Sequence, residues 1–146
     1  MRALIQRVLE AKVVVDGQIT GEIQQGLLVF LGLGKADTLE KGQKLIDKLL
    51  KYRIFDDENG KMGWSVTQAQ GGILLVSQFT LMANTQKGLR PDFSPAMPPA
   101  EAEALYQQLV DYTRLHFPQV QVGVFAADMK VYLVNDGPVT FNLEIE

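Results

Sequence analysis

The chain has 146 residues, 47% hydrophobic and 21% charged, with a formal net charge of −3. That length supports one domain, 1–146, with a sizeable core, and the acidic balance excludes a surface that attracts nucleic acid as a whole, so any RNA contact is local. Without cysteine and with one histidine, His116, disulfides and a cysteine nucleophile are excluded, and no metal or cofactor is expected.

The N-terminal "MRALIQRVLEAK" has no apolar h-region, and the longest apolar run, 27–31, is too short to span a bilayer, so a cytoplasmic protein without membrane contact is expected. Residues 2–8 and 12–15 read as strand. Asp16-Gly17 is a strong hairpin signal, with 18–23 as the returning strand. "GLLVFLGLG" (26–34) suits a strand buried on both faces. Its "GLGK" invites a phosphate-binding-loop reading that the spacing refuses, because the first glycine would fall on Val29 and Ala36 follows the lysine.

A helix is expected from Asp37, which has capping-box spacing to Glu40. "FDDENGKMG" (55–63) reads as a solvated turn, since its acids are adjacent where a calcium loop alternates them. "GGILLVSQFTL" (71–81) is the clearest strand. The stretch 82–99, rich in Gly, Pro and Asn, is longer than an ordinary connection and is expected to be functional. A second helix starts after Pro98-Pro99 and stops at Pro118, which puts His116 in its last turn, where a cation is favoured. Strands 119–125, 129–135 and 139–145 follow. The order predicts an α+β fold: a strongly twisted mixed, mainly antiparallel β-sheet or partial barrel with two main helices.

Three places stand out for chemistry. In "ILLVSQFTLMAN", alternation puts Ser77 and Phe79 on one face and Gln78 and Thr80 on the other. Polar residues ending a buried strand before a long loop mark a ligand site or a strand surfacing into solvent, and both readings stand. Neither hydroxyl has a base nearby in the chain, so a hydrolase here would lack a side-chain nucleophile. "QKGLRP" sets Lys87 and Arg90 three apart, as a modest phosphate grip or a solvated loop. Finally, "NDGPVT" (135–140) nearly repeats "VDGQIT" (15–20), but Pro138 removes a backbone N–H where a returning strand would begin its ladder.

"SQFTL", then "KG-x-RP-x-F", then "ADMKVYLVNDGPVT" resemble the D-aminoacyl-tRNA deacylase family over essentially the whole chain, from "MRALIQRV" to "GPVTF". The resemblance implies hydrolysis of the ester joining a D-amino acid to the 3′-CCA end of tRNA. It further implies a homodimer in which Gly137-Pro138 forms a cis peptide reaching into the other subunit's site. There it holds the α-ammonium so that an L side chain meets protein, while glycyl-tRNA mischarged on tRNA(Ala) escapes exclusion and is cleaved. Proline is the residue that most readily follows a cis bond. By the same resemblance Arg7 holds the Gly-Pro segment, and Ser77, Gln78, Phe79 and Thr80 line the ester and adenosine. Backbone N–H groups near Phe79 and Thr80 face the oxyanion, and the ribose 2′-hydroxyl assists water. Met129 lies near the pocket, and Lys87 and Arg90 grip tRNA; no DNA is expected. The plain readings beside these are an exposed strand residue for Arg7 and a core methionine for Met129. Met82-Ala83-Asn84 departs from the family, which often has an aromatic residue and a glycine there. Two alternatives from other classes remain, a nucleic-acid-binding or scaffold homologue without catalysis and a Thr-dependent small-molecule esterase.

Overall fold

In the computed structural model, which describes residues 1–146, the first strand β1 (Arg2–Val15) turns into β2 (Gln18–Ile23) at Asp16 and Gly17, whose φ values are 49° and 78°. Two successive left-handed residues match the right-handed strand twist, which is why Asp-Gly is favoured here. The two predicted segments 2–8 and 12–15 are thus one strand. Along one edge β1 pairs first with β3 (Gly26–Gly32) through Arg2–Val8, then with β2 through Ala11–Val15. Its other edge carries β8 (Lys130–Glu144), antiparallel along nearly its whole length.

β3 runs parallel to β6 (Gly72–Ser77), and β6 runs parallel to β7 (Val120–Val122). The crossovers contain α1 (Leu39–Lys51) and α2 (Pro99–His116). A two-stranded ribbon, β4 (Phe55–Asp56) and β5 (Met62–Trp64), follows α1. β3 is buried on both faces, as its apolar run predicts, and so is β6. Leu27, Val29, Leu31, Ile73 and Leu75 pack under the helices against Leu45, Leu49, Leu105 and Leu109. Leu28, Leu74 and Val76 face the opposite way, against Val8, Ala11, Val13 and Ile23. This second core closes because the sheet curls until Gly21 of β2 lies against the Val122 backbone of β7, so the sheet is nearly a barrel. No helix is long and apolar enough to cross a membrane.

Four local expectations are corrected. Thr38, not Asp37, caps α1, accepting from the Lys41 N–H at 3.3 Å. Asp37 is occupied elsewhere, accepting from the Gly34 N–H at 2.6 Å and pairing with the Met1 ammonium at 2.9 Å. The strand expected to reach 81 ends at Ser77, and Phe79–Met82 form a 3₁₀ turn. The predicted strand 119–125 shrinks to Val120–Val122, while 129–135 and 139–145 are one strand that continues through Gly137-Pro138.

Candidate active site

The end of β6 opens onto a cavity of about 590 Å³, lined mostly by apolar side chains. The Gln78 N–H donates to the Leu31 carbonyl at 2.8 Å, and the chain then tightens into the 3₁₀ turn. Such a turn leaves its leading N–H groups, here those of Phe79 and Thr80, without partners inside the helix, and no side chain caps them. Ser77, Gln78 and Phe79 border the cavity together with Met129, while exposed Thr80 does not. The turn also overturns the alternation expected for Ser77 to Thr80, because a 3₁₀ helix does not place neighbours on opposite faces.

Phe79 is 56% exposed, and its ring centroid lies 5.0 Å from that of Phe93. The pair gives the cavity an aromatic lip suited to a flat ring. Opposite, Phe125 rests against Tyr106 of α2, centroids 5.8 Å apart. The Tyr106 hydroxyl donates to the Leu75 carbonyl at 3.0 Å, tying α2 to β6. Burial pushes its pKa up to about 12, against a slight lowering by Arg114, so Tyr106 is a fixed donor rather than an acid.

No histidine or carboxylate borders the cavity, and its one lysine, Lys35, makes no hydrogen bond to Ser77 or Thr80. Neither Ser77 nor Thr80 makes a side-chain hydrogen bond to a His, Lys or carboxylate. The sole histidine, His116, stacks on Tyr112 at 4.4 Å at the far end of α2, whose start borders the cavity. An 18-residue helix puts roughly 25 Å between them. His116 therefore has no part in a triad here. No group of three or more His, Cys, Asp or Glu side chains is placed to hold a metal ion.

Arg7, Gly137 and Pro138 assemble elsewhere. Ala3, Ile5 and Arg7 share one face of β1, so Arg7 is 8% exposed and the plain reading of an exposed strand residue is overturned. Its Nε donates to the Asp136 carbonyl at 3.1 Å and its Nη1 to the Ile54 carbonyl at 2.9 Å. The carboxylates of Asp136 and Asp56 stand 3.4 and 3.5 Å away. The guanidinium fork thus ties three segments together. Beside it the Gly137-Pro138 peptide is cis and Gly137 has φ +126°, which L side chains rarely adopt. Both residues are exposed, and the β1–β8 register breaks there, between Gln6 and Val8.

The register fixes how far apart these two places are within one chain. Arg7 is level with Leu27, and Leu27 with Ile73, whereas Ser77 lies four residues further along β6. That is about 13 Å along the strands and, across the β8–β1–β3–β6 spacing, about 14 Å sideways. None of Arg7, Gly137 or Pro138 borders the cavity.

Lys87 and Arg90 also stand apart from the cavity. They project on an exposed loop pinched at its base by two hydrogen bonds between Asn84 and Asp92, 2.7 and 3.1 Å. The Asn84 side chain accepts from the Gln86 N–H at 3.0 Å, so the departing triplet supplies the loop's own closure. Ser94 holds Asp92 through its backbone and its hydroxyl, which lowers the Asp92 pKa. Residue-by-residue reading missed Phe93, Phe125 and Lys35 as cavity residues. Phe93 had a signal, the final aromatic of "KG-x-RP-x-F"; Lys35 was set aside with the refused "GLGK" spacing.

A family model described as D-Tyr-tRNA(Tyr) deacylase matches residues 4–144. A D-aminoacyl-tRNA deacylase of Acinetobacter baumannii (strain ACICU) is 82% identical over 146 residues, covering 100% of this chain and 99% of that one. One from Yersinia enterocolitica is 59% identical over 145 residues, covering 99% and 100%. Among solved structures, the c-Myc DNA Unwinding Element Binding Protein superposes with a TM-score of 0.96 at 40% identity, covering 100% of this chain and 99% of that one. A "probable eukaryotic D-amino acid tRNA deacylase" superposes at 0.85 with 16% identity, over 97% and 98%, a likeness of fold alone. The chain belongs to the D-Tyr-tRNA(Tyr) deacylase family.

Proposed function

We infer that this protein is a D-aminoacyl-tRNA deacylase, a hydrolase that cleaves the ester of D-aminoacyl-tRNA to free D-amino acid and tRNA, and that its site is completed by a second copy of the chain. The observation that carries the second part is the strand register, which keeps Gly137-Pro138 off the cavity of its own chain. β8 supports it. Its outer edge is an unpaired strand of 15 residues bearing exposed Tyr132, Val134 and Phe141, the kind of edge that pairs with a partner.

The 3′-terminal adenosine stacks at Phe79 and Phe93, and the ester lies over the 3₁₀ turn. Water adds to the acyl carbon, and the Phe79 and Thr80 N–H groups stabilise the oxyanion. Collapse breaks the bond to the ribose oxygen, which takes a proton relayed by the vicinal 2′-hydroxyl. RNA assistance fits a cavity bordered by no histidine or carboxylate. The partner's Gly137 and Pro138 carbonyls accept from the substrate α-ammonium, with Arg7 holding that segment in place. An L side chain then meets protein and a D side chain points out. Glycine has nothing to exclude, so glycyl-tRNA mischarged on tRNA(Ala) is also cleaved. The protein acts in the cytoplasm, Lys87 and Arg90 meeting the tRNA near its 3′-CCA end. The DNA element in the name of the 40%-identical relative is not transferred to this chain, whose net charge is −3.

Ester loss from one tRNA charged with D-tyrosine or L-tyrosine, and from tRNA(Ala) charged with glycine, tests this. Rapid loss of the D form and of glycine, with the L form spared, is expected; equal loss of D and L contradicts the chiral gate. Thr80→Ala is expected to keep activity within about twofold, whereas near-complete loss would favour a Thr-dependent esterase.

A further inference from the structure

Of the 15 residues that border the cavity, only Lys35 carries a charge. Its backbone is fixed: the Lys35 N–H donates to the Pro95 carbonyl at 3.1 Å, and the Met97 N–H donates to the Leu33 carbonyl at 3.0 Å. Those bonds tie its base to the segment that carries Phe93, half of the aromatic lip. Its side chain, by contrast, is exposed and has no carboxylate within 4.0 Å and no hydrogen bond.

The neighbouring charges do not claim it. Asp37 is held by the Met1 ammonium at 2.9 Å and the Gly34 N–H at 2.6 Å, and Lys41 donates to the Ala36 carbonyl at 3.2 Å. Asp92 feels Lys35 only as its weakest influence, after the two Ser94 bonds. Lys35 also borders a second hollow, beside Met1 and Ile145.

A nucleotide whose base stacks on the Phe79–Phe93 lip carries a phosphate whose charge the neutral Ser77, Gln78 and Ser94 cannot balance, and Lys35 is the one cation bordering the cavity. We propose that Lys35 binds the phosphate linking the terminal adenosine to the preceding nucleotide, the one charge-paired contact that the cavity makes with RNA. This rests on the deacylase reading above. Lys35 is here a positioning residue: it seats the nucleotide and does not touch the ester. Lys87 and Arg90, on their separate loop, are left to nucleotides further along the strand.

The test compares two short esters, 3′-O-D-tyrosyl adenosine and its 5′-phosphate, with the full-length protein and its Lys35→Gln and Lys35→Arg variants. In the unsubstituted protein the phosphate is expected to lower KM about tenfold with little change in kcat, the size of one charged hydrogen bond. Lys35→Gln should erase that advantage and Lys35→Arg should keep it, with thermal midpoints unchanged because the side chain holds nothing in the fold. On D-tyrosyl-tRNA, Lys35→Gln should raise KM and reduce the slope of log affinity against log salt by about 0.7. The tRNA comparison decides the matter if the short esters react too slowly. A phosphate advantage that survives Lys35→Gln, or an equal fall in kcat on both esters, overturns the proposal while leaving the deacylase reading intact. Absence of cleavage of D-tyrosyl-tRNA by the unsubstituted protein overturns both.

Discussion

The two ends of the central sheet are built on opposite principles. At the end of β6, an apolar cavity with an aromatic lip and a single lysine lies beside an uncapped 3₁₀ turn. At the level of Leu27 and Ile73, a buried arginine ties Ile54, Asp56 and Asp136 around an exposed Gly-Pro peptide. The first has room for a substrate and an aromatic pair to stack on. The second has exposed backbone on a rigid mount and lies outside that cavity. In the proposed function the ester lies at the first and the α-ammonium at the second, and the register keeps the two apart in one chain, which is the ground for proposing that a second copy completes the site.

The largest expected effect comes from breaking the mount. Arg7→Ala leaves the Ile54 carbonyl, buried with Arg7, without its donor and is expected to cost about 2–3 kcal/mol. Asp56 and Asp136, at 60% and 36% side-chain exposure, regain water and add little. Urea unfolding measures the loss; the ratio of D- to L-tyrosyl-tRNA cleavage in surviving protein should collapse as well. Arg7→Lys should rescue stability only in part, because an ammonium cannot reproduce the fork.

The cavity end is sharpened by pH. Tyr106 ionises near its ordinary pKa of 10.0 when unfolded and near 12 when folded. The unfolded state therefore loses its proton first. The hydroxyl's contribution is fully present below pH 10 and is lost as pH rises through 12, by about 2 kcal/mol at the upper end. Tyr106→Phe should flatten that alkaline fall and itself cost about 1 kcal/mol at neutral pH, because the Leu75 carbonyl keeps the Gly123 N–H at 3.1 Å. Tyr112, raised chiefly by its hydrogen bond to Asp47, titrates in the same sense and leaves a residual slope. A profile identical to that of the unsubstituted protein would show that Tyr106 does not hold α2 to β6.

The smallest effect belongs to the loop outside both ends. Lys87→Gln with Arg90→Gln should lower the salt slope of tRNA binding by about 1.4 and leave cleavage of a single-nucleotide ester unchanged. An equal loss on both substrates would place these cations at the ester.

Much of the scaffold was legible because local chemistry decided it. Asp16-Gly17 wrote the first hairpin, the apolar run of β3 foretold burial on both faces, and Pro98 to Pro118 bracketed α2. Local signals failed where a competitor was distant in sequence. Asp37 had the right spacing for a cap but was taken by Gly34 and Met1. "FTL" has strand composition but follows the last residue that β3 can pair, so it tightens into a turn. The plain reading of Arg7 as an exposed strand residue failed because Ala3 and Ile5 already mark its face as buried. The distance between Ser77 and Gly137 depends on the register of several strand pairs, and no single segment encodes it.

Mixing two disabled copies tests the account's central claim most directly. Phe79→Ala removes half of the aromatic lip, and Gly137→Val puts a branched side chain where φ is +126°. Each variant alone is expected to be inactive on D-tyrosyl-tRNA. Unfolded together and refolded, they should recover about a quarter of the full activity, because half of the dimers are mixed and each mixed dimer has one intact site. No recovery from mixed dimers that have demonstrably formed would mean that both ends serve the same chain, and the site completed by a second copy would be wrong.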